Sequence, residues 1–232
     1  MHSHRKLGSS RAIMIAIAIV IPITTIGVFA AGGMASAASP VTFKGNISCS
    51  LTGTVTFSTP LKLGVSQPAI RATFKGKNVD CTGIKGTKLT QGGETLKSST
   101  EDFTFTIAAN KAGGCDGLAT MTSPPITGAT VNWVGTSPIT ATKLSFKAGT
   151  ITSAGLITYG SGTATGSFAG TAKVQLQSSE ISELGTTKLI PYTAANAAAA
   201  CKKPGISDIT FVQPKPSSTY PKNDNEEIGP LF

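Results

Sequence analysis

The residues best able to do chemistry in this 232-residue chain are four cysteines, Cys49, Cys81, Cys115 and Cys201, and eleven carboxylates. The two histidines, His2 and His4, both lie within the first four positions. Zinc is usually held by closely spaced cysteine pairs or by cysteine together with histidine. Here successive cysteines stand 32, 34 and 86 residues apart with no histidine among them, so no metal or other cofactor is expected. A Ser–His–Asp or Cys–His site needs an imidazole to take the nucleophile's proton. No histidine occurs after His4, which excludes both in their usual form. After residue 37 the Ser-x-x-Lys spacing also fails: Ser99 opens Ser-Thr-Glu-Asp and Ser145 opens Ser-Phe-Lys-Ala.

Two carboxyl groups can hydrolyse a glycoside, so the acids need separate weighing. Glu101-Asp102 precedes an alternating segment and reads as a solvated doublet. Glu180 and Glu183 read as surface residues on a short turn. Asp80 and Asp116 adjoin cysteines, and Asp224, Glu226 and Glu227 fall in a polar C-terminal stretch. Glycine-rich phosphate binding is not supported either. Gly160, Gly162 and Gly166 are spaced GxGxxxG, and the residues after Gly166 alternate like a strand, so no helix N-terminus is there to meet a phosphate. Close strand packing or a bulge accounts for these glycines better.

The elements that must position these residues are strands. Leu51-Thr52-Gly53-Thr54-Val55-Thr56-Phe57, Phe103-Thr104-Phe105-Thr106-Ile107, Lys143 to Lys147 and Ala172 to Gln177 all alternate polar with apolar. Alternation of this period gives each strand one buried and one wet face. Glycine and proline signals interrupt the runs at Gly64, Gly92-Gly93, Gly113-Gly114, Pro124-Pro125 and Gly160 to Gly162. An all-β antiparallel sandwich or barrel of about 8–10 strands is therefore expected, with one short C-terminal helix. Thr193 caps that helix, Ala194 to Ala200 builds it, Lys202 and Lys203 suit its C-terminus, and Pro204-Gly205 stops it.

An even cysteine count in an exported chain reads as disulfides. Three pairings of four cysteines exist in principle. Segments Ile47 to Phe57 and Ile70 to Cys81 flank Gly64-Val65-Ser66, and Cys49 and Cys81 are equidistant from residue 65. A symmetric hairpin brings them together, which predicts Cys49–Cys81 and leaves Cys115–Cys201. An asymmetric hairpin would pair Cys49 elsewhere.

The N-terminus sets the compartment. Arg5, Lys6 and Arg11 precede an apolar run, Ala12 to Ala31, and then the small-x-small tripeptide Ala35-Ser36-Ala37. That order predicts an export signal over residues 1–37, cut near Ala37, and then a β-domain over 38–213. The competing arrangement keeps residues 12–31 as an uncleaved membrane anchor. Residues 214–232 carry Pro214, Pro216, Pro221 and Pro230 among polar residues and are expected to be disordered. Without residues 1–37, 17 of the 20 basic residues remain against 11 acids, a net charge of +6 with Arg71 the one arginine. The lysines are scattered and aromatics are few, so specific nucleic-acid recognition is not expected, whereas weak adhesion to an anionic envelope polymer or lipid is.

The order of short motifs resembles that of a group of exported actinobacterial proteins. The likeness rests on Ile47-Ser48-Cys49, Val79-Asp80-Cys81-Thr82-Gly83, Cys115-Asp116-Gly117-Leu118, Val131-Asn132-Trp133, Gly166-Ser167-Phe168-Ala169-Gly170 and Ala200-Cys201-Lys202-Lys203. The resemblance implies an exported β-domain with paired cysteines and brings no activity with it. Three functions stay open. The leading one is a non-catalytic cell-envelope or extracellular protein that acts by binding or structural contact. A second is a β-barrel carrier of an apolar small ligand, with Trp133, Phe146 and Phe168 as candidate lining residues. The third is a carboxylate-dependent glycosidase of envelope polysaccharide.

Overall fold

The computed structural model describes residues 39–84, 86–91, 94–96, 98–109, 111, 113–115, 122–214 and 226–230. They fall in one unit, Ala38–Phe232, and the expected export signal lies outside them. The chain is all-β, as the alternation requires. Its strands are β1 (Asn46–Leu61), β2 (Ile70–Ile84), β3 (Thr90–Gln91), β4 (Glu94–Thr95), β5 (Ser98–Ile107), β6 (Thr122–Ser123) and β7 (Ile126–Val134). They continue as β8 (Thr142–Phe146), β9 (Gly149–Ile151), β10 (Leu156–Thr165), β11 (Gly170–Glu183), β12 (Leu189–Pro191), β13 (Ile206–Val212) and β14 (Glu226–Gly229). Among the described residues one helix, α1 (Ala194–Lys202), sits between β12 and β13, and the Thr193 hydroxyl caps it by accepting from Asn196 N at 3.0 Å.

The strand pairings form a ring. β1 pairs β2, β2 pairs β5, β5 pairs β7, β7 pairs β8, β8 pairs β10 and β10 pairs β11. β11 then returns to β1 through two short strands laid end to end: β13 bridges them at one end and β14 at the other. Every one of these pairings is antiparallel. A closed antiparallel sheet has an inside, and the inward positions of each strand recur with a period of two. On β2 these are Ile70, Ala72, Phe74, Gly76 and Asn78; on β5 they are Ser99, Glu101, Phe103, Phe105 and Ile107.

β14 corrects an expectation. Residues 214–232 read as disordered, yet Glu226–Gly229 pairs on both sides, Ile47 with Ile228 and Ala172 with Ile228. Prolines and charges mask the segment locally. Its strand character comes from two partners distant in sequence, between which Glu226 and Ile228 point inward, both fully buried.

Both disulfides join the predicted partners. Cys49 is bonded to Cys81 and Cys115 to Cys201. The β1–β2 hairpin is symmetric about residue 65 near the bridge, with Ser48 opposite Thr82. Past it a bulge shifts the register, Ser50 facing Val79, and Asp80 takes a positive φ of 51° to absorb the extra residue. The second bridge pins α1 to the loop at Gly113–Cys115, and backbone bonds tie both to the β1–β2 turn: Leu63 N to Cys201 O at 2.8 Å and Cys115 N to Lys62 O at 3.1 Å. Buried Gln67 completes this cap. Its Oε1 accepts from Lys62 N and Gly114 N, and its Nε2 donates to Pro60 O.

Candidate functional site

The inside of the barrel is divided in two. Phe74 and Phe103 face each other across β2 and β5, their rings stacked with centroids 4.7 Å apart. The Phe74 ring lies over two inward glycines. A Cβ at Gly76 would stand 2.5 Å from Phe74 Cε1, and one at Gly53 would stand 2.6 Å from its Cζ. Any larger residue at either place would displace the ring that forms this partition. One side of the partition is apolar and contains a cavity. The other holds two carboxyl groups.

The cavity has a volume of about 100 Å³. Its wall is aliphatic and aromatic, with Phe57, Phe103, Phe105, Ile107, Leu176 and Phe211 contributed by β1, β5, β11 and β13. The few polar groups are nearly all engaged or peripheral. Tyr159 OH donates to Pro124 O at 3.0 Å and also meets the Ser123 hydroxyl. Burial pushes the Tyr159 phenol up to about 12, with the Ser123 hydrogen bond pulling the other way, so it stays neutral. The Gly114 end of the disulfide-stapled cap also lines the space.

Access is set by the pairing pattern. β5 pairs β7 only from Ser98 to Asp102, opposite Val134 to Thr130. From Phe103 to Ile107 it keeps β2 as a neighbour but, among the described residues, has no partner on its other side. β6, whose one partner among the described residues is β9, lines the same cavity. Among the described residues, the barrel wall is thus closed at the carboxyl end, while at the cavity end β5 has an unpaired edge. Phe105, Ile107 and Ile157, all cavity-lining, are only half-buried, as expected beside an unpaired edge.

The aromatic residues singled out from sequence do not line this space. Trp133 and Phe168 belong to the opposite half, where the Trp133 ring meets Phe168 edge-on at 5.2 Å and Phe168 stacks on Phe43 at 5.6 Å. Trp133 Nε1 donates to Thr142 Oγ1 at 2.8 Å, and that hydroxyl donates to Ser167 O, so the indole is fully committed to the core. Phe146 packs on Tyr159 at 5.5 Å, behind the cavity wall, with its ring over Gly162. All three are buried core residues and not the lining they were expected to be. Which half of the barrel each one fills depends on register.

The carboxyl groups are Glu101 and Glu226, both buried, and Asn78 Nδ2 donates to Glu226 Oε2 at 2.6 Å. Glu101 corrects the solvated-doublet expectation: alternation sends Asp102 outward and Glu101 in. Burial drives the Glu101 carboxyl well above the usual range; the Glu226 charge and a hydrogen bond to it raise it further, Asn78 opposes, and Asp102 adds a little. Burial likewise pushes Glu226 up to about 7, against hydrogen bonds from Glu101 and Asn78 that favour its charge. Glu101 therefore keeps a proton and gives it to Glu226 as a hydrogen bond. Glu180 and Glu183, expected on a turn, lie in β11. Asp116 and Asp224 lie outside the described residues. No group of three or more His, Cys, Asp or Glu able to hold a metal occurs among the described residues.

No family model matches the chain, and neither a curated protein nor a solved structure matches it.

Proposed function

We propose that this is an exported, non-catalytic binding protein whose barrel takes the end of a slender apolar molecule. The observation that carries the reading is the apolar cavity of about 100 Å³ beside Phe103–Ile107 of β5, which has no second strand partner among the described residues. Apolar cavities of roughly 150 Å³ stay dry and accept benzene, whereas sites for drug-sized ligands run to about 300–1,000 Å³. This space suits a methyl-terminated chain that enters beside that edge of β5 and leaves its polar end outside. Two disulfides fit an oxidising compartment, and the basic, apolar and small segments of residues 1–37 supply the export reading. Weak adhesion of a chain with net charge +6 to an anionic envelope would keep it near such molecules.

The glycosidase reading draws no support from the acid pair. Glycosidases need carboxyl groups about 5–9.5 Å apart in a cleft open to sugar. Glu101 and Glu226 are hydrogen-bonded to each other and buried.

Calorimetric titration with straight-chain fatty alcohols tests the proposal. Saturable one-to-one binding is expected, weakened at least tenfold by Leu176→Trp, which fills the cavity, with the fold retained by circular dichroism. No binding at any chain length would leave structural contact as the function.

A further inference from the structure

The geometry points to a second site, independent of the apolar cavity: an oxygen-only pocket for a divalent cation of the calcium class, made by Asn78, Ser99, Glu101 and Glu226. Register assembles it. Asn78 and Ser99 are directly opposed on β2 and β5, Ser99 and Glu101 are successive inward positions of β5, and Glu226 of β14 is held to Asn78 by the 2.6 Å hydrogen bond. All four side chains are at most 2% exposed.

Unmet bonding, and not acidity alone, marks the pocket. Among the described residues, the buried side-chain atoms without a hydrogen-bond partner are Asn78 Oδ1, Ser99 Oγ, Glu101 Oε2, Glu226 Oε1 and Gln213 Nε2. Four of these five are oxygens, and all four belong to this cluster. Buried polar atoms without partners are rare because each costs about 1–3 kcal/mol. Four oxygens in one place lack a positive partner, and none of the influences on either acid is a lysine or arginine. A single proton between two carboxyl groups satisfies one oxygen. A hard cation held among them would meet up to four oxygens and balance two carboxylates. The donor set also chooses the ion. Calcium takes about 6–8 oxygens, including carboxylate, amide and hydroxyl, whereas magnesium holds on to several waters and zinc prefers nitrogen and sulfur. Because β14 contributes Glu226, the ion would clamp this short strand to β2 and β5.

The test uses the full disulfide-bonded chain without its leader, stripped with a chelator at about pH 8 and titrated with calcium chloride. Expected are saturable binding of one calcium, a higher thermal midpoint, and slower amide exchange in Glu226–Gly229. Magnesium should bind at least tenfold more weakly. Glu226→Gln, which keeps the shape, should weaken calcium binding at least tenfold, and Ser99→Ala should weaken it measurably with the fold unchanged. No binding, or binding that neither substitution alters, would overturn the site: the pair would then hold a proton or a water, or calcium would sit elsewhere.

Discussion

Burial turns Glu101 and Glu226 from ordinary acids into a pair that holds a proton, and stability must then depend on pH. The folded pKa of Glu226, about 7, lies above its ordinary value of 4.5. Between those values the folded chain binds more protons than the unfolded one, so this contribution is complete below about pH 4.5 and is lost as pH rises through 7. In calcium-free, chelated protein, the unfolding free energy from urea titration should fall across that window by an amount on the order of 3 kcal/mol, and Glu226→Gln should reduce the slope. A midpoint flat from about pH 4.5 to 8 would show that the carboxyls ionise freely. The sequence carried a signal for Glu101 that the solvated-doublet reading passed over. Ser99, Glu101, Phe103 and Phe105 share one face of an alternating run, which places Glu101 with the core. Adjacent acids suggest solvent, but neighbours on a strand face opposite sides. Glu226 was not legible, since nothing near it in sequence signals burial.

At the scale of elements, the hairpin, the helix and the last long strand were written in local pattern. Equal spacing of Cys49 and Cys81 about a turn sufficed for the first bridge, and the Thr193 cap with its alanine run marked α1. β14 and the unpaired edge of β5 depend on partners far away in sequence, so periodicity could not reveal them. The two disulfides should contribute unequally. In the chain-entropy model the Cys115–Cys201 bridge, separated by 86 residues, is worth about 4.5 kcal/mol, and Cys49–Cys81, separated by 32, about 3.5–4. Replacing each pair by serine and comparing guanidinium midpoints should show the larger loss for Cys115/Cys201. The same variant should also weaken alcohol binding, because its bridge holds the cap over the cavity. Gly76→Ala should cost about 1–3 kcal/mol in the same assay, since its Cβ meets the Phe74 ring at 2.5 Å and Thr52 O at 2.7 Å. Unchanged stability would mean that the partition yields easily.

The unit Ala38–Phe232 is a barrel closed by two different strands at its two ends, with a polar pair in one half and a hollow in the other. The Phe74–Phe103 stack keeps them apart, and among the described residues the unpaired edge of β5 lies on the side of the hollow. Sandwich and barrel were equally compatible with the alternation, and closure rests on β11 pairing both β10 and the β13–β14 layer. The isoleucines report this division directly. Ile107, Ile126, Ile151, Ile157 and Ile209 line the cavity, whereas Ile47 and Ile228, paired with each other at the carboxyl end, are buried away from it. The most direct measurement is therefore a methyl NMR titration of isoleucine-labelled protein with a straight-chain alcohol of about ten carbons. Binding in the hollow predicts saturable shifts confined to the first group, with the second group unmoved. Methyls that do not move, or shifts spread evenly over both groups, would contradict a ligand site inside the barrel.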